Sequence, residues 1–235
     1  MVLQQKSTVK LWGWSAPAES ITIKVSWDTT TYKVVAGRDA KWITSIKTPE
    51  AGGSYSITIK GNNTIKLEDV LIGEVWLCGG QSNMEWSGDQ GMKETLEEMP
   101  NATNKAIRLF YVAKSTSNYP QDNLEGKWMV CTPEEMKHFS TIGYFFGKNL
   151  HQTLNSPIGL INPSWLSQAR AIQAASAEDL PIPETWPWVE ILTSHAGARA
   201  QTIEVAAASI TIKVMIFLLT SSFDSLCHSF MLNPH

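Results

Sequence analysis

The pattern of apolar residues changes at Val70, and this change constrains the fold more than any other feature. Upstream, from Thr8 to about Leu67, apolar and polar residues alternate in short runs separated by turn residues. Such runs are typical of a small antiparallel β-sandwich. Downstream, Leu71–Cys78 is largely apolar, as expected of a strand covered on both faces. The sequence therefore predicts an all-β part followed by an α/β part.

The α/β part is predicted from a strand, a helix and a second strand in that order. Apolar residues recur at helical spacing after Ser140, a suitable N-cap, as far as Leu154, and Ile158–Ile161 then forms a buried strand. This order indicates a βαβ unit in a parallel sheet. We predict a β-sandwich domain over 1–69, part of an α/β domain over 70–180, and a tail without an assigned fold over 181–235.

Composition and charge narrow the classes of function. The 235 residues carry a formal net charge of -3, which gives no electrostatic reason to expect nucleic acid or an anionic membrane as partner. The apolar run Val214–Leu219 is far shorter than the roughly 20 residues that span a bilayer. Three widely spaced cysteines form no metal-ligand pattern. Met1–Gln5 lacks the features of a secretory signal, so the expected compartment of the chain as given is the cytoplasm.

Tryptophan is abundant, and its role is open between two alternatives. All ten tryptophans lie at or before Trp188. Large aromatic side chains mostly supply buried area in cores, which is the simpler interpretation of each one. The other interpretation is that some of them stack against sugar rings.

The sharpest local feature follows the apolar strand directly: Gly79 and Gly80 precede Gln81, Ser82, Asn83 and Met84. Glycines allow a tight backbone turn, and a serine at such a turn exposes its hydroxyl at the carboxyl edge of the sheet, where open α/β folds place their ligands. The alternative is a turn with no chemical role.

This segment also carries a resemblance to a known family. The stretch Gly73–Trp86 (GEVWLCGGQSNMEW) is similar to the sialate O-acetylesterase-like SGNH hydrolases, as are Met1–Gln4, Trp14, Gly52–Tyr55 and Pro157–Asn162 with the following Ser164 and Trp165. The resemblance runs from Met1 to about Trp165. It implies a flavodoxin-like parallel sheet, present here in part, after the β-sandwich.

The family resemblance implies an esterase that removes acetyl groups from sugar hydroxyls without a metal or cofactor. Ser82 corresponds to the nucleophile, and its backbone N–H to one oxyanion donor. Gln81, Asn83 and Leu166 occupy the neighbouring oxyanion or substrate-binding positions. The implied partner is an O-acetylated sugar, with no nucleic acid or membrane, and full-length relatives are expected to be exported.

The sequence departs from the family pattern at three points. Family members follow the Ser-Trp pair with Gly-Gly, whereas Leu166 and Ser167 follow Trp165 here. A later Gly-Glu-(Ser or Ala)-Asn segment and a C-terminal Asp-x-x-His are both absent from the sequence. These departures predict a truncated chain with little or no activity.

None of the five histidines matches the family's general base. His138 and His151 precede the second strand, His195 lacks an acid at the right spacing, His228 follows Asp224 by four residues rather than three, and His235 is the last residue. Three hypotheses therefore stand: an acetyl-ester hydrolase with reduced activity, a carbohydrate-binding remnant without turnover, and a fragment without function.

Overall fold

The structure is a computed structural model. It describes residues 1–79, 82–113, 123 and 126–163, and the backbone of two further strands, 199–205 and 212–218. The strands are β1 (Val2–Gln4), β2 (Thr8–Trp14), β3 (Ser20–Val25), β4 (Thr31–Val35), β5 (Lys41–Lys47), β6 (Gly52–Lys60), β7 (Thr64–Gly79), β8 (Asn104–Tyr111), β9 (Trp128–Cys131), β10 (Ile158–Asn162), β11 (Arg199–Val205) and β12 (Ile212–Leu218). The helices are α1 (Ser82–Glu85), α2 (Lys93–Glu98), α3 (Pro133–His138) and α4 (Thr141–Leu154), with 3₁₀ turns at Gly88–Gln90 and Met99–Asn101.

Contacts divide the chain into two compact units, and the described residues of the first are Met1–Glu74. In this unit β4, β3, β6 and β7 pair in that order and antiparallel, while β1 runs parallel to β7. Strands β2 and β5 form a separate antiparallel pair. The alternation predicted for the third strand is confirmed, because Ile21, Ile23 and Val25 are buried while Lys24 is exposed.

The core of the first unit joins both sets of strands. Side chains from β3, β6 and β7 meet side chains from β2 and β5; the buried residues are Val9, Ile21, Ile23, Val25, Ala36, Trp42, Ile46, Ile57 and Val70. Gly13 allows this packing, because a Cβ there would lie 2.8 Å from Cζ2 of Trp42. Trp42 therefore closes the core over a position that has no side chain.

The second unit, from Val75 onward, is built on a mixed sheet with helices. Its strands lie in the order β12, β7, β10, β8 and β9. The β12–β7 and β10–β8 pairs are parallel, and the β8–β9 pair is antiparallel. This arrangement confirms the predicted α/β class. Strands β8 and β9 were not predicted, and helix α2 lies between β7 and β8.

Helix α4 connects to β10 as the sequence predicts. The Ser140 hydroxyl accepts the Gly143 N–H at 3.1 Å, so Ser140 caps the helix. Asn155 ends it in the left-handed conformation, with φ of 47°. In the part of the chain that the structure describes, no helix is long and apolar enough to cross a membrane.

Candidate active site around Ser82

Ser82 lies at the junction of a buried strand and a helix. Strand β7 is buried from Val70 through Trp76 and again at Cys78 and Gly79, and α1 begins at Ser82. The first N–H groups of a helix have no intrahelical acceptor. The Ser82 N–H is thus one of the backbone donors that α1 leaves without a partner inside the helix.

Two contacts hold α1 against the start of α4. The Ser140 hydroxyl donates to Sδ of Met84 at 3.1 Å, and Met84 is almost fully buried. Directly after α1, the carbonyl of Trp86 accepts the Thr141 N–H at 2.9 Å. Packing and these two hydrogen bonds therefore hold the segment that begins at Ser82 against the start of α4.

The carboxyl ends of β7 and β10 lie at the same edge of the sheet. A Cβ on Gly143 would lie 3.3 Å from Sγ of Cys78, and one on Gly147 would lie 2.5 Å from Cδ1 of Leu160. From Gly143 to Gly147 the helix advances about 6 Å, and from Leu160 to Asn162 the strand advances about 6.6 Å. Because α4 and β10 run in opposite directions, Asn162 comes level with Gly143 and thus with Cys78.

Asn162 is a polar residue at this edge, and it was not predicted from the sequence to be a site residue. It ends β10, is 1% exposed, and its Oδ1 has no hydrogen-bond partner among the described residues. Buried polar atoms are usually paired, so this oxygen is a candidate acceptor for a donor at the sheet edge. In the sequence, the indication that Asn162 belongs to a site was a single amide residue at the end of an apolar strand.

The chain after α1 packs as a series of short helices. Ser87 and Gln90 form a capping box around the first 3₁₀ turn, and a Cβ on Gly88 would lie 3.1 Å from the carbonyl oxygen of Lys137. Two 3₁₀ turns and α2 thus fill the chain between α1 and β8.

Two histidines are described, and each has a partner. Nδ1 of His138 lies 2.6 Å from Oδ2 of Asp89, and both side chains are exposed. Nδ1 of His151 lies 2.7 Å from the carbonyl oxygen of Ser156, at the far end of α4. His195, His228 and His235 lie outside the described residues, as do Gln81 and Leu166.

The described cysteines are buried thiols. Burial raises the pKa of Cys78 to about 12, and burial with the negative charge of Glu98 raises the pKa of Cys131 to about 12. Both thiols therefore stay protonated at neutral pH and are poor nucleophiles. Within the described ranges, no group of three or more His, Cys, Asp or Glu residues is placed to hold a metal ion.

No protein-family model matches the sequence, but individual proteins do. Sialate O-acetylesterase from Mus musculus is 30% identical over 183 residues, which is 70% of this chain and 34% of that protein. The Homo sapiens sialate O-acetylesterase is also 30% identical, over 70% of this chain and 35% of its own length.

A solved structure of an acetylesterase is also similar to this chain. A carbohydrate acetylesterase from Xanthomonas citri is 35% identical, with a TM-score of 0.64 over 69% of this chain and 38% of that one. The chain thus spans about a third of the length of the curated relatives that it matches. The chain is a partial sialate O-acetylesterase-like protein, as the segment around Ser82 predicts, and the similarity extends over 70% of its length.

Proposed function

We propose that this chain carries the serine nucleophile of a carbohydrate acetyl-ester hydrolase, and that Ser82 is that serine. The observation that carries the proposal is the position of Ser82 at the first residue of α1, directly beyond the buried end of β7. The similarity to sialate O-acetylesterases and to a carbohydrate acetylesterase supports the choice of reaction. The proposed substrate is an O-acetylated sugar.

The proposed reaction has two steps. Oγ of Ser82 attacks the acetyl carbonyl as a base removes its proton. The tetrahedral intermediate then collapses while the base returns the proton to the sugar oxygen, which releases the sugar alcohol and leaves an acetyl-serine. Water, deprotonated by the same base, then attacks the acetyl-serine to release acetate and restore the serine. An ester of this kind needs only nucleophile, base and oxyanion donors.

The backbone N–H of Ser82 is the proposed first oxyanion donor, and that of Leu166 the second. Loss of one such donor costs about 10²–10³ in rate. Gln81 and Asn83 flank the serine and are proposed to contact the substrate; Asn83 is half-buried in α1. We further propose that Oδ1 of Asn162 accepts a hydrogen bond from an N–H at this sheet edge.

The proposed activity is weak. The described histidines are engaged elsewhere, His138 with Asp89 and His151 with the Ser156 carbonyl. The sequence contains no Asp-x-x-His to supply a base in the family's manner. A serine without a well-placed base reacts slowly even when oxyanion donors are in place.

The finer fold assignments are also proposals. A sandwich in the first unit is supported by the core that β2 and β5 share with β3, β6 and β7. A flavodoxin-like sheet in the second unit is supported by β7 lying between β10 and β12, as the first strand does in the order 2-1-3-4-5. The domain ranges 1–69, 70–180 and 181–235 remain a prediction.

The test is hydrolysis of p-nitrophenyl acetate by the purified chain beside Ser82→Ala, after circular dichroism shows that both are folded. We expect a rate above the buffer background that disappears in Ser82→Ala. Ser45→Ala, which changes a serine on an exposed strand position, is the matched control and should keep the full rate. Equal rates from the folded chain and from Ser82→Ala would overturn the proposal.

A further inference from the structure

The outward face of the β2–β5 pair carries two large aromatic side chains in solvent. Trp12 is 48% and Trp14 is 50% exposed, and Ile43, which lies opposite Trp12, is 54% exposed. Residues two apart on a strand share a face, so these three side chains form one apolar surface. Large aromatics are seldom left in water without a use, because they supply the most area when buried.

The core beneath this surface is complete without them. On the inward side of the same two strands Val9, Trp42 and Ile46 are buried, with Trp42 packed over Gly13. The alternation of the strands therefore turns Trp12 and Trp14 away from a core that another tryptophan already fills. Their exposure is a property of the fold rather than a packing fault.

The same face is basic. Lys10 lies two residues before Trp12 on β2, Lys41 lies opposite Trp14, and Lys47 lies opposite Thr8. The outward positions of the two strands include no Asp or Glu. The whole chain has a net charge of -3, so this local excess of lysine runs against the overall balance. A ligand for this face carries negative charge beside an apolar surface.

We propose that this surface, formed by Lys10, Trp12, Trp14, Lys41, Ile43 and Lys47 and named here the Trp12–Trp14 face, binds a polysaccharide of carboxylated sugars. Side chains two residues apart on a strand are about 6.5 Å apart, which suits stacking on successive pyranose rings. The C–H groups of a sugar ring lie against an aromatic face, and the ammonium groups of Lys10 and Lys47 pair with the carboxylates. The choice of sugar over nucleic acid rests on the proposed function.

The role inferred is to hold an acidic glycan chain, and it is separate from the chemistry at Ser82. Loss of the face is therefore expected to weaken binding of a polymer and to leave hydrolysis of p-nitrophenyl acetate unchanged. Conversely, Ser82→Ala is expected to bind the polymer like the unaltered chain. The failure of one proposal can thus be told from the failure of the other.

The experiment is affinity electrophoresis of the full chain in native gels that contain polysialic acid, neutral dextran or single-stranded DNA. We expect retardation by polysialic acid alone, weakened when salt rises from about 50 to about 500 mM. The double variant Trp12→Ala/Trp14→Ala should bind at least about tenfold more weakly, and Trp12→Tyr/Trp14→Tyr should keep part of the binding. Thermal melting checks that each variant is folded.

Lysine variants provide a matched comparison. Lys10→Gln/Lys47→Gln should weaken retardation, whereas Lys24→Gln/Lys60→Gln, which removes two exposed lysines from β3 and β6, should not. Unchanged binding in the folded Trp12→Ala/Trp14→Ala variant would overturn the inference. So would stronger retardation by single-stranded DNA than by polysialic acid, or loss of binding in both lysine pairs alike, which would indicate attraction by charge alone.

Discussion

Cys78 lies near the end of β7, four residues before Ser82, and its thiol is fully buried against α4. Burial raises its pKa to about 12. The folded state therefore holds the proton over a range where the unfolded chain has released it. A group of this kind contributes stability below its unfolded pKa, near 9, and loses that contribution as the pH rises toward its folded pKa.

We predict that replacing Cys78 flattens the alkaline decline in stability. Between about pH 8 and about pH 10.5, the unaltered chain should lose about 2 kcal/mol more than Cys78→Ala, because each pH unit past the unfolded pKa costs about 1.4 kcal/mol. Urea unfolding at several pH values measures this difference. Val75→Ala, an alanine substitution at a buried residue of the same strand, should keep the slope of the unaltered chain.

At the scale of elements, helix α4 could be predicted from the sequence, whereas strands β8 and β9 could not. Helix α4 was predicted with its N-cap at Ser140 and its end at Asn155, because periodicity and capping residues agree there. Strand β8 was missed because Arg108 is buried in the middle of its apolar residues and conceals the pattern. Strand β9 has only four residues, too few for any periodicity to be detected.

Ser140, the N-cap of α4, also forms a hydrogen bond to α1. Ser140→Ala removes both the acceptor for the Gly143 N–H and the donor to Met84 in α1. Loss of an N-cap typically costs about 1 kcal/mol, and we expect about 2 kcal/mol here because the α1 contact is lost too. We also expect esterase activity to fall, since α1 begins with Ser82.

Thr132→Ala is the matched control for this prediction. Thr132 caps α3 by accepting the Glu135 N–H, at 3.4 Å. Its loss should cost about 1 kcal/mol or less and leave the esterase rate unchanged. Chemical denaturation measures the free energy of unfolding of both variants, and p-nitrophenyl acetate hydrolysis measures their esterase rates. Equal effects of the two substitutions on the rate would contradict the role of Ser140 in linking α4 to α1.

At the scale of the whole molecule, the two units have separate cores, and the pattern of apolar residues changes at Val70, close to the boundary between Glu74 and Val75. The candidate site at Ser82 stays a prediction, and it rests on the short, specific segment that surrounds this serine. The Trp12–Trp14 face was not predictable from the sequence, because Leu11, Trp12 and Trp14 surround Gly13 and put apolar residues on both faces of β2. Periodicity could not tell which face is buried; the packing of Trp42 decides it.

Separate cores predict separate responses to core damage. Ile23 in the first unit and Leu160 in the second are both fully buried, and replacing either by alanine should cost about 2–5 kcal/mol. Hydrogen exchange with mass spectrometry should show that Ile23→Ala loses protection mainly within Met1–Glu74. Leu160→Ala should lose it mainly within Val75–Asn162. Uniform loss in both variants would mean that the chain opens as a single cooperative body.

The packing of Trp42 over Gly13 also fixes how β2 and β5 align. A slip of one residue in β2 would turn Trp12 and Trp14 inward and Gly13 outward, since neighbouring residues point to opposite faces. The two indole rings would then meet the ring of Trp42 where only a hydrogen atom fits now. The tetrapeptide Leu11–Trp14 thus sterically admits one alignment of the β2–β5 pair, and the same alignment keeps both exposed tryptophans in solvent.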